Sequence, residues 1–76
     1  MGAEGPEQAA ITREQMQRLA GAMMGLPDEQ RETVVLHLQG RMGFREIAKV
    51  YGISVNTAMS RYRYGLEKLR SLLMSR

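Results

Sequence analysis

The chain has 76 residues, with 11 Lys and Arg against 8 Asp and Glu and no cysteine. A chain this short makes one small domain that buries about 60% of its extended surface, too little to wall an enzyme cleft. The lack of cysteine excludes disulfides and thiolate metal sites. No apolar run approaches the roughly 18–20 residues of a membrane span and no signal-peptide pattern opens the chain, so a cytoplasmic protein is expected.

The net charge of +3 is unevenly distributed. Residues 1–38 carry Arg13, Arg18 and Arg31 against Glu4, Glu7, Glu14, Asp28, Glu29 and Glu32, a net of −3. Residues 39–76 carry Arg41, Arg45, Lys49, Arg61, Arg63, Lys68, Arg70 and Arg76 against Glu46 and Glu67, a net of +6. Solvated helices of different charge would give such a split, but a polyanion partner for the basic half accounts for it better.

Residues 1–11 include Gly2, Gly5 and Pro6 with little periodicity and read as a flexible lead-in. Thr12 and Gln15 have capping-box spacing. Met16, Leu19, Ala20 and Met23 then mark one apolar face of a first helix that Gly25 closes. In so small a domain these methionines are expected to fill core, the alternative being a soft partner-binding face. Leu26-Pro27-Asp28-Glu29 opens a second helix, with proline in the first turn and two acids at the positive end of the dipole. Val34, Val35 and Leu38 form its buried side and Gly40 ends it. His37 has no His, Cys or nearby carboxylate at ligand spacing, so no metal or catalytic role is assigned to it.

After Arg41 to Gly43, the residues Phe44, Ile47, Ala48 and Tyr51 mark a third helix. Ala48 is small where a crossing helix must come close, and Gly52 allows positive φ at a bend. Ile53 is expected to plug the angle and Ser54 to cap the next helix. A helical hairpin unrelated to DNA could use the same turn chemistry. The last helix, about Val55 to Leu73, gathers Val55, Ala58, Tyr62, Leu66, Leu69 and Leu73 into one buried stripe at 3.6-residue periodicity. The other side presents Thr57, Ser60, Tyr64 and Lys68, with Asn56, Arg61 and Arg63 on the shoulders and Met59 at the stripe's edge. No acid falls between Glu46 and Glu67. The expected fold is therefore all-α: a compact four-helix domain over 12–76, ending in a helix-turn-helix at about 44–64 whose second helix reads DNA.

Side-chain chemistry divides the labour on that helix. Thr57, near the helix start, can donate to a phosphate along with free backbone N–H groups. Arg61 and Lys68 suit phosphate contacts that set register. Arg63 could do the same or fork onto guanine O6 and N7. Ser60 can pair with several base edges, Tyr64 can meet a thymine methyl or a phosphate, and Asn56 can read adenine or cap the backbone. Paired carboxylates, a nucleophile–base set, metal spacing and a phosphate-cradling Gly loop are all missing, so no enzyme, cofactor or small-molecule substrate is expected.

Leu26-Pro27, Gln30-Arg31-Glu32, Glu46-Ile47-Ala48, Gly52-Ile53-Ser54, Asn56-Thr57 and Ser60-Arg61 stand in the order found in bacterial sigma factors. Over about residues 12–73 the chain resembles region 4 of the sigma-70 family, especially the extracytoplasmic-function type, and it closes similarly with Leu66-Glu67-Lys68-Leu69-Arg70. The resemblance implies a four-helix domain that docks its last helix in the major groove of the promoter −35 element. It also implies contact with the flap of the RNA polymerase β subunit and, often, capture by an anti-sigma factor. By position, Met59, Ser60, Arg63 and Tyr64 would face bases or nearby backbone, Thr57 and Arg61 would hold phosphates, and Arg45 could add a phosphate contact. Ala58 and Met59 depart from the pattern, since relatives often place a larger aliphatic and a basic residue there. Met59 cannot donate a hydrogen bond, so readout there would be apolar or absent. Nothing in the chain corresponds to region 2, which melts the −10 element, so these residues alone should not support initiation.

Two rival readings stand beside this one. The DNA-binding domain of response regulators shares a similar Glu-Ile-Ala…Gly-Ile-Ser core and would act as a dimer on a pseudo-palindromic operator. A protein-interaction module would instead present its basic helix to an acidic partner, or its Met-rich first helix to polymerase or an anti-sigma factor. The Leu26-Pro27 to Glu32 opening and the Ser60-Arg61-Tyr62-Arg63 run favour the sigma reading.

Overall fold

The computed structural model describes residues 12–74, and the expected lead-in over 1–11 lies outside the described residues. Among the described residues there are four helices and no strand: α1 (Arg13–Met24), α2 (Asp28–Leu38), α3 (Phe44–Tyr51) and α4 (Val55–Met74). The all-α four-helix expectation holds.

Local chemistry sets most of the boundaries. At α1 the Thr12 hydroxyl accepts from the Gln15 N–H at 3.1 Å while Gln15 Oε1 accepts from the Thr12 N–H at 3.0 Å, a reciprocal cap. Gly25 follows as its C-cap. Pro27 stands at the N-cap of α2, one residue earlier than expected. Arg31 ties this corner together by donating to the Asp28 carboxylate and, at 3.1 Å, to the Leu26 carbonyl. Gly52 ends α3 with φ +66°, and the Ile53 N–H reaches back to the Ala48 carbonyl at 3.0 Å, a Schellman-type stop.

Packing has two centres. Between α3 and α4, Ile47, Ala48 and Ala58 are buried, with Leu36, Met42, Phe44, Tyr51 and Ile53 closed around them. Ile53 thus takes the plugging position expected of it. The second centre is the crossing of α2 and α4. A Cβ on Gly65 would lie 2.9 Å from Val34 Cγ2 and 3.3 Å from the Gln30 carbonyl oxygen, so only glycine lets the two helices come this close. Val34 is buried there, and Leu26 is buried at the α1–α2 corner. Thr33 is fully buried without an orphaned hydroxyl, because its Oγ1 donates to the Glu29 carbonyl at 2.8 Å.

An aromatic cluster links the elements further. The His37 ring stacks on Phe44 at 4.3 Å and meets Tyr62 edge-on at 4.7 Å, joining α2, α3 and α4. Its Nδ1 lies 2.9 Å from the Met42 carbonyl, which places a proton on that nitrogen. Tyr51 donates to Glu32 Oε1 at 3.0 Å, a second tie from α3 to α2.

Three burial expectations fail. α1 contributes no buried residue, and Met16 is 52% exposed rather than core filler. This helix touches the rest only through one edge, with Leu19 and Met23 in a groove beside Val34, Val35 and Leu69, and Arg18 Nη2 donating to the Leu73 carbonyl at 2.6 Å. Leu38, in the last turn of α2, forms the lip of that groove and is 54% exposed. Val55 is 37% exposed because it opens α4 a full turn before the packed crossing at Ala58.

Candidate nucleic-acid interface

The outer face of the helix-turn-helix is built from its turn. Ser54 caps α4: its Oγ accepts from the Thr57 N–H at 3.0 Å, and its hydroxyl lies 2.9 Å from Thr57 Oγ1 as donor. Two consequences follow for the expected roles. The Thr57 N–H is already engaged, so the group Thr57 can offer a phosphate is its own hydroxyl proton. With Ser54 as cap, Asn56 is left exposed on the first turn of α4 with its amide available for a base edge.

The proposed contact residues fall into two rows. Asn56, Met59, Ser60 and Arg63 recur at i, i+3, i+4 and i+7 and share the face turned away from the Ala58–Gly65 core. Asn56, Met59 and Arg63 are exposed and Ser60 is half-buried. Thr57, Arg61, Tyr64 and Lys68 form the second row on the flank nearer α2. Tyr64 and Lys68 lie beside Pro27 and Gln30 at the start of α2, both exposed. Arg61 is half-buried, its Nη2 3.9 Å from Glu29 Oε2. Arg63 sets its guanidinium 5.2 Å from the centroid of the Tyr64 ring, a cation–π contact that bridges the rows. Arg45 is exposed on the first turn of α3, where Glu46 Oε1 accepts from the Gly43 N–H at 3.1 Å.

Electrostatically the face is one-signed until Glu67, because residues 47–66 carry no acid. A carboxylate from α2 also reaches this face, which sequence reading did not anticipate. Glu29 holds Arg61 sideways through a long, partly exposed ion pair of small energetic weight. A phosphate at that flank therefore competes with Glu29 for the guanidinium. Nothing in the spacing of the chain signals this pairing, since it depends on how α2 crosses α4. The Tyr51 phenol, next to this network, is pushed above its ordinary value first by burial, then by its hydrogen bond to and charge repulsion from Glu32, with the Arg61 charge acting the other way.

The arrangement can bind an extended anion along two rows of donors. Among the described residues no group of three His, Cys, Asp or Glu side chains could hold a metal ion. No helix among them is long and apolar enough to cross a membrane.

In comparison with known families, residues 16–69 match the family model described as sigma-70, region 4. No curated protein and no solved structure matches the chain. The matched segment runs from the first turn of α1 through the Gly65 crossing to Leu69, so it covers both packing centres and both rows of the interface. The chain thus belongs to the sigma-70 region 4 family, DNA-binding domains that recognise the promoter −35 element in transcription initiation and contact the RNA polymerase core through the β-subunit flap.

Proposed function

We propose that this chain is the −35-reading domain of an extracytoplasmic-function type sigma factor acting in the cytoplasm, with residues 12–76 as its region 4 unit. The observation that carries the reading is the row Asn56, Met59, Ser60 and Arg63, presented outward from a Ser54-capped helix whose opposite side is locked to α2 and α3. This row enters the major groove and meets base edges. Thr57, Arg61, Tyr64 and Lys68 grip phosphates along one strand, and Arg45 adds a phosphate contact from α3.

A partner protein uses the other end of the molecule. The groove of Leu19, Met23, Val35, Leu38 and Leu69 offers apolar surface that the domain itself leaves open, and exposed Met16 and Met24 extend α1 beside it. Methionines suit a surface that must adapt to more than one partner. The β flap, and an anti-sigma factor competing with it, are the occupants this reading assigns. The dimeric response-regulator reading has less support, because the matched family is sigma region 4.

The test is selection of bound sites from random duplex DNA, followed by capture of the isolated β flap. Enrichment of one short motif bound by a single protein, together with flap capture, is the expected result; enrichment of paired half-sites would sink the reading. Arg61→Ala should weaken binding to every sequence alike, by about 1–2 kcal/mol, since it removes a charge-assisted phosphate contact without sequence information. Affinity should fall steeply with added salt as several counterions are released. Unchanged affinity of Arg61→Ala at low salt would move the docking face elsewhere.

A further inference from the structure

α4 carries an apolar patch on its DNA-facing side. Val55 is 37% exposed and Met59 48% exposed, and the two stand at i and i+4, one above the other on the helix. Asn56 and Arg63, both exposed, flank Met59 at i−3 and i+4. An isolated exposed apolar side chain needs no explanation, but Met59 stands in the outward row with Asn56, Ser60 and Arg63, all of which can hydrogen-bond, and Val55 adjoins it from the edge of the buried stripe. Val55 has no hydrogen-bonding group, and Met59 has no donor and only a weakly accepting sulfur. The polar atoms of the major groove therefore give them little, and desolvating those atoms without good replacement partners would cost affinity.

One feature of the major groove is apolar: the C5-methyl group of thymine. Cytosine carries the same group at the same place when methylated at C5. We propose that Met59, backed by Val55, is a specificity-determining residue that recognises a C5-methylated pyrimidine. The thioether chain is long and unbranched, so it can reach a methyl group at the groove floor from the side of the helix that Asn56 and Arg63 frame. Asn56 and Arg63 fix the register of neighbouring bases by hydrogen bonds, while Met59 selects against any base that presents a polar edge at its own position. The inference rests on the docking of α4 in the major groove described above.

The test uses the full chain and duplexes carrying the motif enriched from random DNA, with binding read by fluorescence anisotropy at low salt. Each thymine is replaced in turn by uracil, which removes only the methyl group. A buried methyl-sized group contributes about 0.8 kcal/mol, and 1.4 kcal/mol is tenfold, so one position should show about a three- to fivefold loss. Met59→Ala should abolish that difference between thymine and uracil, and Met59→Leu should restore it. At the same position 5-methylcytosine should bind the unaltered protein more tightly than cytosine, with no such gain in Met59→Ala. If the protein binds its motif yet tolerates uracil everywhere, the inference fails and groove docking stands. If Met59→Ala keeps the full uracil penalty, another side chain reads the methyl group and the inference fails likewise. Failure to enrich any motif would overturn the docking itself, and the inference with it.

Discussion

The two ends of this domain are held in different ways. Where α3 meets the first half of α4, Ile47, Ala48 and Ala58 are buried, a left-handed glycine stops one helix, a serine caps the next, and the His37–Phe44–Tyr62 cluster clamps the outside. Where α1 meets the second half of α4, no residue of α1 is buried, and a groove lined by Leu19, Leu38 and Leu69 stays open. The difference fits the roles proposed for each surface. A base-reading row must be held rigidly, because hydrogen-bond readout fails when its donors wander. A protein-binding groove gains from side chains that can repack. The same chain of 76 residues thus spends its small core where positional accuracy matters most.

The largest effect should come from setting the two ends directly against each other. Ile47 is fully buried, so Ile47→Ala leaves a cavity and should cost about 2–5 kcal/mol. For a domain with a core this small, that is enough to unfold much of the population at room temperature. Leu19→Ala should cost less than about 1 kcal/mol, because Leu19 is only half-buried at the edge of an open groove. Urea denaturation followed by circular dichroism compares them, and equal losses would abolish the distinction between the ends.

Next in size is the crossing between the ends, at Gly65. Alanine there gains about 1 kcal/mol of helix propensity but brings a Cβ to 2.9 Å from Val34 Cγ2 and 3.3 Å from the Gln30 carbonyl. Valine in a helix has essentially one rotamer, and the carbonyl is part of the α2 backbone, so neither neighbour yields cheaply. Overpacking costs about 1–3 kcal/mol, which leaves Gly65→Ala a net destabilisation of up to about 2 kcal/mol. A variant as stable as the parent would show that the crossing is looser than these distances indicate.

Smaller again are the two helix caps, which share one chemistry in two settings. Ser54→Ala should lower the unfolding free energy by about 1 kcal/mol, because α4 cannot fray without disturbing the buried Ala58. Thr12→Ala removes an equivalent cap from α1, yet should change global stability by less than half as much, since α1 can fray while the core stays closed. Amide exchange should show the second loss instead, as faster exchange confined to the first turns of α1.

Much of this was readable in the chain, for physical reasons that can be named. The boundaries follow local chemistry: the Thr12–Gln15 box, Gly52 at positive φ and Ser54 as cap act within a few residues of themselves. Helical periodicity placed Thr57, Ser60, Tyr64 and Lys68 opposite the apolar stripe, with Asn56, Arg61 and Arg63 on the shoulders and Met59 at the stripe's edge; all of these but Ser60 and Arg61 are exposed. Pairings set by the angle at which α2 crosses α4 were not readable. Nothing local marks Gly65, and its purpose appears only with Val34 against it. Glu29 beside Arg61, and Tyr51 on Glu32, join residues far apart in sequence with no periodic signal between them. Periodicity also overstated burial at helix ends, as at Val55 and Leu38, because a stripe continues along a helix after its partner has ended.

The smallest effect concerns how the reading end is tied to α2, and it is one of pH. The Tyr51 phenol is raised above its ordinary value of about 10, mainly by burial and secondarily by the hydrogen bond to Glu32. A folded-state value above the unfolded one means that the neutral phenol is the form the fold favours. The stability it contributes is fully present below the unfolded value, about 10, and is lost as pH rises through the higher folded value. Urea melts between pH 8 and 11 should therefore show an advantage of the parent over Tyr51→Phe that is constant at the lower end and shrinks above about pH 10. Every other ionisable group is common to both proteins, so the difference between them isolates Tyr51. Because the Arg61 charge pulls this phenol downward, Arg61→Ala should move the alkaline loss to still higher pH. A difference curve unmoved by Arg61→Ala would mean that the guanidinium already points away from Tyr51 and Glu29 in the unbound protein, free to meet a phosphate without first leaving a carboxylate.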